Sequence, residues 1–299
     1  MGSVEWGISP GQPRQRDSFR IPHSEFPICF IPDLLRSIRL TIAYDGTNFA
    51  GWQWQTAQRT VQETLETALR KLTGEPTRCV ASGRTDSGVH ALAQVVNFQT
   101  ACTIPVERFP RAINTELPDD VIVLAACEMP LGFHAIRDAV RKRYRYVLDD
   151  GPQPDVFRRA YCWHYRYSLD AERMHAAAQA WLGRHDFHSY QTHGSPRVST
   201  IRTVFEVSVC RPEKLTPELI HFEVEADGFL YNMVRVMVGT LVEVGRGARP
   251  VTWPAEALAA TNRRAAGITA PPQGLFLVRV DYEDTAAEPI DLNNAALGG

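Results

Sequence analysis

The chain has 299 residues, 44% of them hydrophobic and 22% charged, with a formal net charge of −2 at pH 7. This is an ordinary globular composition, long enough for one large domain or two moderate ones, and overall charge alone gives no sign of a nucleic-acid binder. The six cysteines (Cys29, Cys79, Cys102, Cys127, Cys162 and Cys210) are scattered, and no two have the spacing of a zinc or dithiol motif.

Residues 1–36 carry Gly, Pro, Arg and Ser with little periodicity and read as a flexible extension. No basic-then-apolar leader heads them. Order begins where Ile38, Leu40, Ile42 and Tyr44 alternate as in a half-buried strand. Asp45-Gly46-Thr47 then turns the chain. Thr60 with Glu63 fits a capping box. The helix it opens has Val61, Leu65, Ala68, Leu69 and Leu72 on one face and is stopped by Gly74 and Pro76. Strands are expected at about residues 77–81 and 94–98. These elements make an N-terminal α/β unit, residues 37–132.

A second unit, residues 139–284, is expected to contain a strand at 144–148, a helix at 168–182 and strands at 204–210 and 218–226. A helix from about 231, another at 254–264 and a strand at 275–282 complete it. Residues 285–299 form a tail. The apolar run 229–244 contains Asn232, Arg235 and Glu243 and is shorter than a membrane span. Successive strands between single helices predict an α+β fold: two related α/β halves with mixed, mostly antiparallel sheets, helices on one face, and an active-site cleft between them. The expectation is a reduced, soluble, cytoplasmic protein with no membrane association.

Three segments carry chemistry. The first is Ser82-Gly83-Arg84-Thr85-Asp86-Ser87-Gly88-Val89-His90, in which two glycines bracket a loop with one carboxylate. Glycine permits positive φ and close approach to a ligand. An acid beside Arg84 is expected to stay ionised, which suits a nucleophile or charge stabiliser. A serine nucleophile elbow does not fit, because Thr85 and Val89 stand where its glycines belong. Asp86 and His90 lack a third metal ligand, and His185, His188 and His193 read as polar capping and surface residues.

The second is Arg141-Lys142-Arg143-Tyr144-Arg145-Tyr146, within a stretch (134–166) where eight basic residues face four Asp. Strand alternation puts Arg143 and Arg145 on one face and Tyr144 and Tyr146 on the other. Two readings are open: a solvated basic face of an edge strand, or a phosphate-tracking face backed by a tyrosine in the cleft. Lysine occurs only at Lys71, Lys142 and Lys214, so 29 of the 32 basic residues are arginine. The third is Arg235, alone in an apolar stretch. It either snorkels to the surface or is aimed at a buried carboxylate, for which Asp86 is the candidate.

Together these segments resemble the tRNA pseudouridine synthase A family, collinearly from Ile38 to Tyr282. The resemblance runs through Tyr44-Asp45-Gly46-Thr47 with Phe49, Gly51, Trp52, Gln53 and Gln55, then Val61-Gln62, the Asp86 loop and Gln94-Val95. It continues through Asn114 with Leu117-Pro118, Phe133-His134-Ala135, Arg143-Tyr144-Arg145-Tyr146, His185-Asp186-Phe187, Met233-Val234-Arg235 with Gly239, and Gly274-Leu275. It implies a cofactor-free isomerase, usually a homodimer, that converts uridine to pseudouridine in the anticodon stem-loop of tRNA. By the same resemblance Asp86 is the catalytic aspartate, Tyr144 the active-site tyrosine and Arg235 the basic partner of the aspartate. Arg84 matches an arginine that holds the RNA and displaces the target base. Arg141, Lys142, Arg143 and Arg145 are expected to join Arg84 in RNA binding, and no metal is expected. Ser87 stands where the family often has Ala, and Ile136-Arg137-Asp138 replaces a frequent Arg-Phe-Ser.

The reaction breaks N1–C1′ and makes C5–C1′ within one nucleotide, without redox change. Developing positive charge at C1′ asks for a carboxylate on one face of the sugar. Whether Asp86 forms a covalent adduct or stabilises a glycal-type intermediate stays open at this level, as do two other classes: a non-catalytic tRNA-binding or tRNA-folding module, and a nucleoside hydrolase.

Overall fold

A computed structural model describes residues 35–192, 199–212 and 216–283. The expected extension up to residue 34, His193 and the tail at 285–299 lie outside the described residues.

The first alternating segment forms β1 (Arg36–Tyr44), with Ile38, Leu40 and Ile42 fully buried. Helix α1 (Val61–Thr73) begins as its sequence predicts: the Thr60 side chain accepts from the Glu63 amide, and Gly74 ends the helix at φ +76°. Such an N-cap contributes about 1 kcal/mol. Strand β2 (Val80–Ala81) is shorter than expected, because the Cys79 amide donates to the Glu66 side chain of α1 and not to a neighbouring strand. Then come β3 (His90–Thr100), α2 (Phe109–Asn114) and β4 (Val121–Met129). The last two are additions to the expected elements. Helix α2 is too short to display a period, and β4 alternates buried Val121 and Val123 with exposed Ile122 and Leu124.

Strand β5 (Ala139–Asp149) is longer than its sequence suggests, and β6 (Trp163–His164) pairs with it. Helix α3 (Ala171–Ala178) is shorter than the expected 168–182. The Asp170 side chain caps its start by accepting from the Arg173 amide, and residues 179–181 tighten into a 3₁₀ turn. Strands β7 (Gly183–Asp186), β8 (Ile201–Cys210) and β9 (Leu219–Ala226) lead to α4 (Met233–Gly245). Helix α5 (Trp253–Ala260) stops early because Thr261 adopts φ +43°, and β10 (Leu275–Tyr282) follows.

One sheet runs β4-β1-β3-β10-β5-β9-β8-β7, with β2 on β3 and β6 on β5. It is mostly antiparallel. The strands of 37–132 meet those of 139–284 where β3 pairs in parallel with β10, His90 against Phe276 and Ala91 against Leu277. The helices share one core with one face of the sheet: Leu65 of α1, Phe109 of α2, Met174 of α3, Val238 of α4 and Ala257 of α5 pack with Leu40, Phe98, Phe222 and Leu277. The fold is therefore α+β. A smaller cluster, Val147, Cys162, Leu219, Phe276 and Val278, lies on the other face. Among the described residues no helix is long and apolar enough to cross a membrane.

Helix α4 is held from below by residues 266–270. A Cβ on Gly239 would collide with the Ile268 carbonyl oxygen, which is backbone and cannot swing away. Gly239→Ala is expected to lower stability by about 2–3 kcal/mol. An unchanged urea midpoint would show that this contact is looser than it looks.

Candidate active site

The loop between β2 and β3 is fixed chiefly through its backbone. The Ser82 carbonyl accepts from Lys142 Nζ at 2.5 Å, the Gly83 carbonyl from Gln94 Nε2 at 2.9 Å and the Thr85 carbonyl from the Trp52 amide at 3.0 Å. The Asp86 carbonyl accepts from the Val89 amide at 3.2 Å. Gly51, at φ +100°, lets the 49–52 segment lie against the loop; a Cβ there would come 2.7 Å from the Thr85 carbonyl oxygen. Of the two bracketing glycines only Gly88 takes positive φ, +75°. Ser87, the family departure, donates its hydroxyl to the Phe49 carbonyl at 3.2 Å.

The cation beside Asp86 is Arg235 and not Arg84. Arg235 Nη1 lies 3.4 Å from Asp86 Oδ2, with side chains 16% and 27% exposed. Two stronger contacts aim the guanidinium: Nε donates to the Ala270 carbonyl at 2.7 Å and Nη1 to Asn232 Oδ1 at 2.7 Å. Arg84 is exposed and, among the described residues, makes no ion pair. The expected ionised carboxylate needs correction in its energetics. Burial pushes the Asp86 carboxyl above its ordinary range, and Arg235 draws it only partway back.

Tyr144 of β5 faces the same space. Its ring packs edge-on against Phe229 at 5.0 Å, and it is 8% exposed. Its hydroxyl has no hydrogen-bond partner among the described residues. Burial, then neighbouring Tyr44 and Asp86, push it above the ordinary phenol range. The Tyr146 hydroxyl, by contrast, donates to the Pro271 carbonyl at 2.8 Å. Asp86, Arg84, Lys142, Tyr144, Arg202, Phe229 and Tyr231 line a cleft of about 990 Å³ drawn from both halves of the chain.

The basic segment divides by strand alternation. Lys142 and Tyr144 face the cleft, while Arg141, Arg143 and Arg145 stand on the other side of the sheet. There Arg143 pairs with Glu206, Glu223 and Glu225, Arg145 with Glu223 at 2.7 Å, and Arg141 with Glu225 at 3.1 Å. Their charge is neutralised within the protein. The edge-strand reading fails as well, because β5 lies inside the sheet between β10 and β9.

His90 is structural. Its Nδ1 accepts from the Gly46 amide at 3.0 Å, and Nε2 lies 3.0 Å from the Ala160 carbonyl. That pattern suits the neutral ring, and burial pulls its pKa down. Among the described residues no group of three or more His, Cys, Asp or Glu could hold a metal ion. Asn232 is a site residue that sequence patterning missed. It begins α4 at φ +59°, a conformation that Asn tolerates better than most residues. There it accepts from Arg235 and donates to Thr192 Oγ1 at 2.7 Å. Gln94, fully buried, is another. An isolated amide in a strand carries no signal of its own until the loop it bonds is in view.

A family model described as tRNA pseudouridine synthase matches residues 40–137 and 177–283. The chain is 45% identical over 248 residues to the tRNA pseudouridine synthase A of Thermoanaerobacter sp. (strain X514), covering 83% of this chain and all of that protein. It is 49% identical over 248 residues to that of Moorella thermoacetica, with 82% and 99% covered. It is 48% identical over 243 residues to that of Halalkalibacterium halodurans, with 81% and 91% covered. Likeness to solved structures is slight. A chain of a Cbf5-Nop10-Gar1 complex aligns with 81% of this chain and 59% of its own length, at 11% identity and a TM-score of 0.33.

Proposed function

The chain belongs to the tRNA pseudouridine synthase family, isomerases that turn uridine into pseudouridine in tRNA, and from that premise we propose that Asp86, Arg235 and Tyr144 carry the reaction here. The observation behind the reading is one half-buried carboxylate, 3.4 Å from a half-buried guanidinium, in a cleft that also receives an unpartnered tyrosine hydroxyl.

Asp86 acts on C1′ of the target uridine, as nucleophile or as stabiliser of positive charge, while the N1–C1′ bond breaks. Arg235 favours its ionised form. The base turns so that C5 meets C1′. C5 then gives up its proton and N1 is left protonated. The Tyr144 hydroxyl relays that proton as a neutral phenol, since its raised pKa disfavours a phenolate. The target nucleotide must leave the helical stack for its C1′ to reach a carboxylate set inside a cleft. Exposed Arg84, on the cleft wall, is suited to fill the space it vacates.

The finer reading, on the strength of the family resemblance, is that the uridines lie in the anticodon stem-loop and that the enzyme works as a homodimer in the cytoplasm. Incubating the protein with bulk tRNA and mapping pseudouridine by chemical tagging tests the target. New tags confined to anticodon stem-loops are expected. Tags elsewhere would refute the positional reading, and loss of uracil without pseudouridine would indicate a hydrolase. Light scattering in solution tests the dimer.

Tyr144→Phe keeps the ring against Phe229 and removes only the relay. It is expected to lower the saturated rate by roughly 10²-fold or more with little change in tRNA affinity. A silent Tyr144→Phe beside a damaging Tyr146→Phe would move the role to the other tyrosine.

A further inference from the structure

Lys142 does something in the fold that a phosphate contact would not explain. It lies two residues before Tyr144 on the same face of β5, and its ammonium reaches across the cleft to the Ser82 carbonyl at 2.5 Å. It thereby ties the strand that carries Tyr144 to the loop that carries Asp86. On the loop's inner side Gln94 makes a matching contact from β3. Its Nε2 donates to the Gly83 carbonyl at 2.9 Å, and its Oε1 accepts from the Ser82 hydroxyl at 2.6 Å. Gln94 and Ser82 are both fully buried in a largely apolar core. Polar groups are retained in such a place only when their bonds are made, and once made they fix a single geometry.

Asp86 itself needs that support. Its one contact with Arg235 is long, at 3.4 Å, and Arg235 is bonded more closely to Ala270 and Asn232. The pair alone does not aim the carboxylate.

We propose that Lys142 and Gln94 are positioning residues, a two-sided clamp on the carbonyls of Ser82 and Gly83 that sets the reach of Asp86 and its spacing from Tyr144. The proposal rests on the reading of Asp86 as the catalytic carboxylate. It gives Lys142 a role different from RNA binding.

The choice of residue fits. Lysine appears at only three positions in a chain with 29 arginines, and Lys142 sits between Arg141 and Arg143. A compact ammonium on a flexible stem can cap one carbonyl beside Gly83, where a Cβ would stand 3.6 Å from Nζ. A planar guanidinium is built for two parallel acceptors.

The test uses the full-length enzyme and bulk tRNA, with single-turnover rates at saturating enzyme and tRNA affinity measured across a salt series. Lys142→Met is expected to lower the rate about 10- to 100-fold, because small misplacements of a reacting group cost that much. Its affinity should stay within about threefold, with an unchanged slope of log affinity against log salt. Lys142→Arg, which keeps a donor for Ser82, should recover part of the rate. Gln94→Glu keeps the acceptor for Ser82 and the side-chain length but loses the donor to Gly83, so its rate should fall in the same way.

A Lys142→Met enzyme whose saturated rate is unchanged overturns the proposal. So does one whose salt slope flattens by about 0.7–0.9, the mark of one lost phosphate contact. An active Asp86→Ala enzyme would instead remove the catalytic reading, and the clamp would have nothing to aim. That outcome is separable because the Asp86 variant is measured alongside.

Discussion

Asp86→Ala and Asp86→Asn are expected to abolish pseudouridine formation, lowering the rate by roughly 10⁴-fold or more. Affinity for tRNA should fall by less than about tenfold, or 1.4 kcal/mol. The asymmetry follows from the site. Asp86 is the one carboxylate of its loop, and the loop's backbone carbonyls are held by Lys142, Gln94, Trp52 and Val89 without its side chain. Removing the carboxylate therefore deletes chemistry and leaves the scaffold standing. Asn preserves shape and hydrogen-bonding capacity but is a far weaker nucleophile and carries no charge, so it should be as inactive as Ala. Filter binding beside tritium release from C5-labelled tRNA would separate the two quantities. Turnover within tenfold of wild type in either variant would take Asp86 out of the reaction.

The sequence made this site legible where chemistry is local. The glycine-bracketed acid is a short-range pattern, and an arginine inside an apolar helical run is conspicuous because burying it alone is costly. The two-residue period of a strand likewise suffices to separate Tyr144 from Arg143. What it could not show is where the opposing charges lie. Glu206, Glu223 and Glu225 are more than sixty residues from the arginines they neutralise, and only the register of β5 against β9 brings two of them alongside. The expected pairing of Arg235 with Asp86 is present, whereas the expectation that Arg84 also stands beside the carboxylate is not met. Arg84 is two residues away in sequence yet exposed, while Arg235 arrives from α4 on the far side of the cleft. Short or irregular elements escaped for a different reason: α2 and β4 lack the amphipathic contrast on which periodicity depends.

Arg235 has the second large effect, and its sign can be worked out. Burial raises the Asp86 pKa, and the charge and hydrogen bond of Arg235 oppose that rise. Arg235→Leu removes the opposing influence and leaves the burial, so the carboxyl should titrate at higher pH than in the wild type. If the ionised form is the active one, the acidic limb of the saturated rate moves to higher pH. At neutral pH the rate should fall by roughly 10²-fold or more, because the electrostatic partner of the carboxylate is lost.

Stability should respond in a matching way. In the variant the folded state holds the Asp86 proton more tightly than the unfolded chain does. Between the two pKa values the native state then binds more protons, and stability falls as pH rises through that window. Tyr144, which feels the Asp86 charge, and Tyr44, which neighbours Tyr144, are both pushed above their ordinary range, Tyr44 up to about 12, and stay neutral throughout. Arg235→Lys keeps a positive charge but cannot bond Ala270 and Asn232 as the fork does, so it should shift the limb less and retain part of the rate. Rate–pH profiles of the three enzymes provide the check. Coincident acidic limbs for wild type and Arg235→Leu would mean that Asp86 owes its ionisation to something other than Arg235, and the 3.4 Å contact would then be a matter of packing.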